Sequence, residues 1–260
     1  MQQWNGLLRK EWVTLKKPLL VIALFAVATM SFLPMIITRF LGMGVDVFEL
    51  ALVICAMWAV ASAFAPVIAL FTMLEREMKR PDVWLHSNAS IFKLVGSKVF
   101  FVIPIGAGGL LSSTIVLALH YAFLTPSILT FDALLFYGSI FIIVLFVASL
   151  SILCTGFFFW VLYRLMEPAI KGFAILVSFI LFGVSSWVVE RVGNSTIYTK
   201  LVEVGPIDLL GLKNPQLDVG NNYFEVTGAD FYTGEIVFNV IFTVLLFIVA
   251  TVLFEKKVRL

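Results

Sequence analysis

Six stretches of this chain are apolar, free of Asp, Glu, Lys and Arg, and near the length a helix needs to cross a bilayer: 19–37, 50–74, 99–119, 133–162, 172–189 and 236–254. A spanning helix takes about 20 such residues at a rise of about 1.5 Å each. Lipid offers the backbone no water, so each stretch must satisfy its own N–H and C=O groups, and a helix does so within one segment. The fourth stretch is longer than the hydrocarbon is thick and is expected to tilt, bend or protrude. Pro34, Pro66 and Pro104 fall inside stretches and are expected to kink them, neighbouring helices satisfying the freed carbonyls.

Composition agrees. Of the 260 residues, 61% are hydrophobic and 13% charged, where a soluble domain is about half apolar and about a quarter charged. A soluble core of this size cannot hide so much apolar surface. Soluble globular, disordered and disulfide-framework classes are excluded. Cys55 and Cys154 lie inside apolar runs and read as small core hydrophobes. The first run follows a polar, basic opening and has no small-residue cleavage site after it, so it is expected to remain as a span.

Charge gives the orientation. Fourteen of the 18 Lys and Arg residues fall on one side of a six-span arrangement: Arg9, Lys10, Lys16 and Lys17; Arg76, Lys79, Arg80, Lys93 and Lys98; Arg164 and Lys171; Lys256, Lys257 and Arg259. Arg39, Arg191, Lys200 and Lys213 fall on the other. Basic residues concentrate on the cytoplasmic side, so both termini are expected there. The expected class is an all-α integral membrane protein of six transmembrane helices in a plasma membrane, the bacterial cytoplasmic membrane by preference. With no ionisable residue in the middle of any span, the chain lacks the groups that ion-coupled pumps place at membrane depth. His120, at the outer end of the third span, reads as interfacial.

Three segments outside the spans carry information. Residues 1–18 read as an interfacial amphipathic helix that precedes the transmembrane domain of 19–260. Trp4, Leu7, Leu8, Trp12 and Leu15 share one face and Arg9, Lys10, Lys16 and Lys17 the other, with the tryptophans at headgroup level. Pro18 then allows a sharp turn into the first span. Glu11 falls within the apolar face. Either it pairs with a basic group of the protein, for instance in 74–98, or it reaches the headgroups.

The cytoplasmic loop 75–94 joins dense charge to Met78, Trp84 and Leu85. It reads either as a short helix offering an apolar knob with a charged collar to a partner, or as a loop whose Trp84 anchors to the interface. The outer segment 190–233 is long enough to be structured, and short re-entrant or interfacial helices would fit it. No phosphate-cradling loop, zinc spacing or nucleophile elbow occurs. The chain is thus not expected to be an enzyme, and the basic patches need no nucleic acid to explain them.

The order of parts resembles that of ABC-2 type transporter permeases. The opening Leu7-Leu8-Arg9-Lys10-Glu11-Trp12 resembles their N-terminal interfacial helix. Glu75-Arg76-Glu77, then Trp84-Leu85-His86-Ser87, then Lys98 two residues after Gly96, resembles their first cytoplasmic loop. The long outer segment with Gly205-Pro206 is similar as well. The resemblance implies a permease subunit without its own ATPase, working with a second permease subunit, identical or related, and a cytoplasmic ABC ATPase dimer that carries the ATP and Mg. It implies that Glu75, Arg76, Glu77, Lys79, Arg80, Trp84, Leu85 and His86 belong to an ATPase-coupling element. Trp4, Arg9, Lys10, Glu11 and Trp12 would belong to the interfacial helix at the same junction. His86-Ser87-Asn88 departs from the family's pattern after the coupling helix, which leaves the subfamily and the cargo open. Apolar walls favour an amphipathic drug, peptide or lipid-like substrate moving outward. The alternatives are an ion-coupled secondary transporter and a non-transporting accessory or immunity protein.

Overall fold

The computed structural model describes residues 2–41, 46–79, 90–124, 130–207, 216–219, 222–225 and 231–257. Each apolar stretch lies within one helix, except that the fifth starts one residue ahead of its helix: α1 (Gln2–Leu41), α2 (Val47–Met78), α3 (Ile91–Leu124), α4 (Phe131–Ile170), α5 (Phe173–Gly193) and α7 (Thr233–Lys257), with a short α6 (Thr196–Val202) before the last. The six long helices are each apolar enough to cross a membrane. The framework is therefore that of an all-helical, multi-pass membrane protein. Pro34, Pro66 and Pro104 all lie inside these helices.

The structure corrects the expected turn at Pro18. Residues 2–41 form a single helix with Pro18 inside it, about 60 Å long at 1.5 Å per residue. Proline removes one backbone donor, but its φ suits a helix. Glu11 and Leu15, one turn apart and just before it, are both buried against the rest of the unit. The polar opening and the first span are thus one continuous helix rather than two elements. The fourth stretch behaves as expected of its length, since α4 has 40 residues and exceeds the hydrocarbon thickness of about 30 Å.

The chain divides into two compact units, Met1–Leu153 and Cys154–Leu260. In the first, α2 and α3 form the closest pair. Ala51, Cys55, Ala59, Ala63 and Val67 recur every fourth residue on α2, and Lys98, Val102, Gly106 and Leu110 on α3, and all are buried. Rows four apart are the ridges that let two helices interdigitate, and small residues let their backbones approach. A Cβ at Gly106 would sit 2.5 Å from Pro66 Cγ, and one at Gly109 would sit 2.6 Å from Ser62 Oγ. On the far half, Ala26 and Met30 of α1 pack with Ile54, Cys55 and Val116. His120, expected at the interface, is buried there, its Nδ1 2.9 Å from the Val116 carbonyl.

In the second unit Phe157 stacks on Trp160 and meets Phe247, and Trp160 meets Phe254. Lys171 takes a left-handed conformation (φ 48°) in the two-residue turn between α4 and α5, the place where a helix end favours glycine. Helix α5 buries Ala174 and leaves Phe173, Phe179 and Trp187 exposed, as lipid-facing side chains would be.

The outer segment differs from the expected set of short helices. Its described part holds α6, capped by Ser195 accepting from the Tyr198 N–H, and two antiparallel ladders. Strand β1 (Pro206–Ile207) pairs with β4 (Phe231–Tyr232), and β2 (Gln216–Val219) with β3 (Asn222–Glu225). The two residues between β2 and β3 are Gly220 and Asn221, a pair of the kind that two-residue hairpin loops favour. Gly205, at φ +68°, accepts from the Thr233 backbone N–H at 3.1 Å, while the Thr233 hydroxyl donates to the Val204 carbonyl at 2.9 Å. A side chain at Gly205 would collide with Thr233, so this crossing of α6 onto α7 needs glycine.

Candidate functional site

Four charged side chains meet where α1 passes the end of α2 and the start of α3. Each is placed by its helix. Glu11 shares the inward face of α1 with Leu15, whereas Lys10, about 100° away around the helix, is exposed. Glu77 stands on the last turn of α2 and Lys98 on the inward row of α3. The Lys98 ammonium donates to the Glu11 carboxylate and, at 3.3 Å, to Glu77 Oε1. Lys10 donates to the same Glu77 oxygen at 2.6 Å.

Two ammonium groups and two carboxylates thus neutralise one another. Lys98 and Glu11 are 2% and 5% exposed, so neither charge has access to water. Burying a charge is costly unless it is paired and hydrogen-bonded, and here each is both. The Lys10–Glu77 pair differs, because the Lys10 side chain is 57% exposed. The cluster closes three helices into one body: the N-terminal part of α1 is tied to both helices that flank residues 80–89.

Of the residues singled out from sequence, Lys10, Glu11 and Glu77 are brought together here. The choice left open for Glu11 falls on pairing, and its partner is Lys98. Trp12 is exposed beside the cluster and meets Phe101 edge-to-face at 6.4 Å. Arg9, Glu75, Arg76 and Lys79 are exposed at the same end of the unit. Trp4 lies in α1, with its side chain outside the described residues. Arg80, Trp84, Leu85 and His86 lie outside the described residues, as does the expected short helix. The loop is shorter than 75–94, because 75–78 belong to α2 and 91–94 to α3.

Lys98 is the functional residue that sequence reading counted without assigning. A carboxylate on an apolar face signals that a cation must face it. Arg76, Lys79, Arg80, Lys93 and Lys98 all fall in the segment 74–98 that could supply it, and only the fold selects among them. A second polar group, in the other unit, was not foreseen. Arg164 donates to Glu167 at 2.6 Å, Tyr163 donates to the same carboxylate at 3.0 Å, and the guanidinium lies over the Trp160 ring. Among the described residues no three His, Cys, Asp or Glu side chains gather as a metal ion would require.

The sequence matches no family model, and no curated protein or solved structure matches it. What fold and site define is a multi-pass helical membrane protein in which a charge cluster locks the N-terminal helix to a helical hairpin.

Proposed function

We propose that this chain is the permease subunit of an ATP-driven ABC transporter of the ABC-2 type. It works with a second permease subunit, the same or related, and with a separate cytoplasmic ATPase dimer that binds ATP and Mg. Both termini and residues 80–89 face the cytoplasm, in keeping with the bias of basic residues.

One observation carries the reading. The Glu11–Lys98–Glu77–Lys10 cluster joins α1 to both flanks of the segment that would engage the ATPase. A push on that segment would reach α1, α2 and α3 together, which is what turning a partner's closure into a change of access demands. Trp84 and Leu85 would supply the apolar contact, and Glu75, Arg76, Lys79, Arg80 and His86 the charged collar. The cargo would be amphipathic or lipid-like and would move outward.

The chain carries no phosphate-binding loop of its own, so Mg-ATP hydrolysis by gently purified material reports a partner. Hydrolysis that co-purifies with the tagged chain, and falls when Trp84→Ala and Leu85→Ala are combined, supports the reading. Material that hydrolyses no ATP in several mild detergents and in nanodiscs refutes it.

A further inference from the structure

A groove of about 830 Å³ runs between α1, α2 and α3 within the first unit. Arg9 and Trp12 stand at one end, and Met30, Trp58 and Ser113 at the other. Its few serines leave the walls apolar in effect, since the Ser112 and Ser113 hydroxyls both donate to the Gly109 carbonyl of their own helix, at 2.7 and 3.1 Å.

The groove runs the length of α1 from Leu8 to Met30, and its part from Arg9 to Ala23, about 21 Å at 1.5 Å per residue, has the length of one leaflet. Its α3 wall runs from Phe100 to Ser113, about 20 Å at 1.5 Å per residue. Half of a bilayer that measures about 40–45 Å with its headgroups is about the same. The end at Met30, Trp58 and Ser113 lies near the middle of the apolar stretches 19–37, 50–74 and 99–119. The other end carries an arginine and a tryptophan, the residues that settle at headgroup level.

The charge at that end is uncommitted. The neighbouring Lys10 and Glu11 are used in the cluster, whereas among the described residues no acid pairs with the exposed Arg9. Lys16, seven residues on and so on nearly the same side of the helix, is exposed as well. A guanidinium offers phosphate two parallel donors.

We propose that the groove holds one acyl chain of an anionic phospholipid from the leaflet at this end, with the lipid phosphate on Arg9. The occupant enters sideways from the bilayer, its chain along Leu19 and Phe101 and its tip near Ala23. The proposal does not rest on the transport reading, because the site needs no ATPase partner. Under the positive-inside orientation the leaflet is the cytoplasmic one, where anionic lipids attract basic segments.

Gly108 provides the test. It lines the groove, and a Cβ there meets nothing within 4 Å, so Gly108→Leu fills the space without disturbing the helix pair. The full chain in mild detergent is titrated with phosphatidylglycerol and with phosphatidylcholine of the same chains, and bound lipid is counted by native mass spectrometry. We expect one phosphatidylglycerol held about tenfold more tightly than phosphatidylcholine, the scale of one charge-assisted contact. Arg9→Gln should bring the two lipids level, and Gly108→Leu should reduce both, with unfolding midpoints unchanged. Equal binding of the two lipids to the parent chain overturns the proposal. So does loss with Arg9→Gln alone, which means headgroup binding at the surface, or loss with Gly108→Leu alone, which removes Arg9 as the anchor. A dimer that Gly108→Leu dissociates, with no lipid on either form, assigns the groove to a second copy instead.

Discussion

The Lys98 ammonium donates to the Glu11 carboxylate across 87 positions of sequence, and both groups are buried. Removing Lys98 strands the buried Glu11, whereas Lys98 without Glu11 would keep Glu77 at 3.3 Å. Lys98→Met should therefore cost about 3–5 kcal/mol, the usual penalty for an uncompensated buried charge. Glu11→Leu together with Lys98→Met should recover most of it, because a hydrophobic replacement of a buried pair is often neutral. Lys10→Ala should lose less than about 1 kcal/mol, since that side chain is mostly exposed. Denaturant unfolding in one mild detergent checks all three, and equal losses for Lys98→Met and Lys10→Ala would contradict the picture of a buried clamp.

The approach of α2 to α3 makes a second, independent demand. Gly106 faces the rigid ring of Pro66, and a Cβ there would be too close to it. Gly106→Val should destabilise the hairpin by about 1–3 kcal/mol, as overpacking does. Gly108→Ala, two residues away and facing open space, should be neutral or stabilising by about 0.5–1 kcal/mol through helix propensity. Thermal unfolding of the two variants side by side decides it; the same loss in both would mean that α2 and α3 do not touch where described.

The framework was legible because lipid simplifies the code. A span must be long, apolar and helical, so each of the six stretches could be read without knowing its neighbours, and each lies within a helix but for the first residue of the fifth. The outer segment obeys no such rule. There the alternation in Tyr223-Phe224 and Leu217-Asp218-Val219 around Gly220-Asn221 was a hairpin signal that went unread, and helices were expected instead. Pro18 misled for a related reason: proline is a local breaker, while the burial of Glu11 and Leu15 on the turns before it comes from residues far away in sequence. The charge cluster was half visible. Glu11 advertised a missing partner by its place on an apolar face, but Lys98 was one of several basic residues that could have answered.

Orientation rests on the distribution of basic residues alone and can be tested by itself. We expect cysteines introduced at Lys16 and Lys256 to be protected from a membrane-impermeant maleimide in intact cells, and one at Asn194 to react. Background should be low, because Cys55 is buried and Cys154 partly so. Labelling of the terminal positions from outside would reverse the topology and remove the role proposed for residues 80–89.

The proposed function requires that the segment 80–89, whose flanking helices the charge cluster ties to α1, dock a nucleotide-binding subunit. Affinity purification of the full-length chain from native membranes in mild detergent tests it most directly, with co-purifying proteins identified and their nucleotide binding measured. We predict a nucleotide-binding protein of about the size of one domain or two, retained by the parent chain and by Lys10→Ala and lost when Trp84→Ala and Leu85→Ala are combined. A chain that purifies alone across several gentle detergents, or a partner held equally well by the double variant, would contradict it.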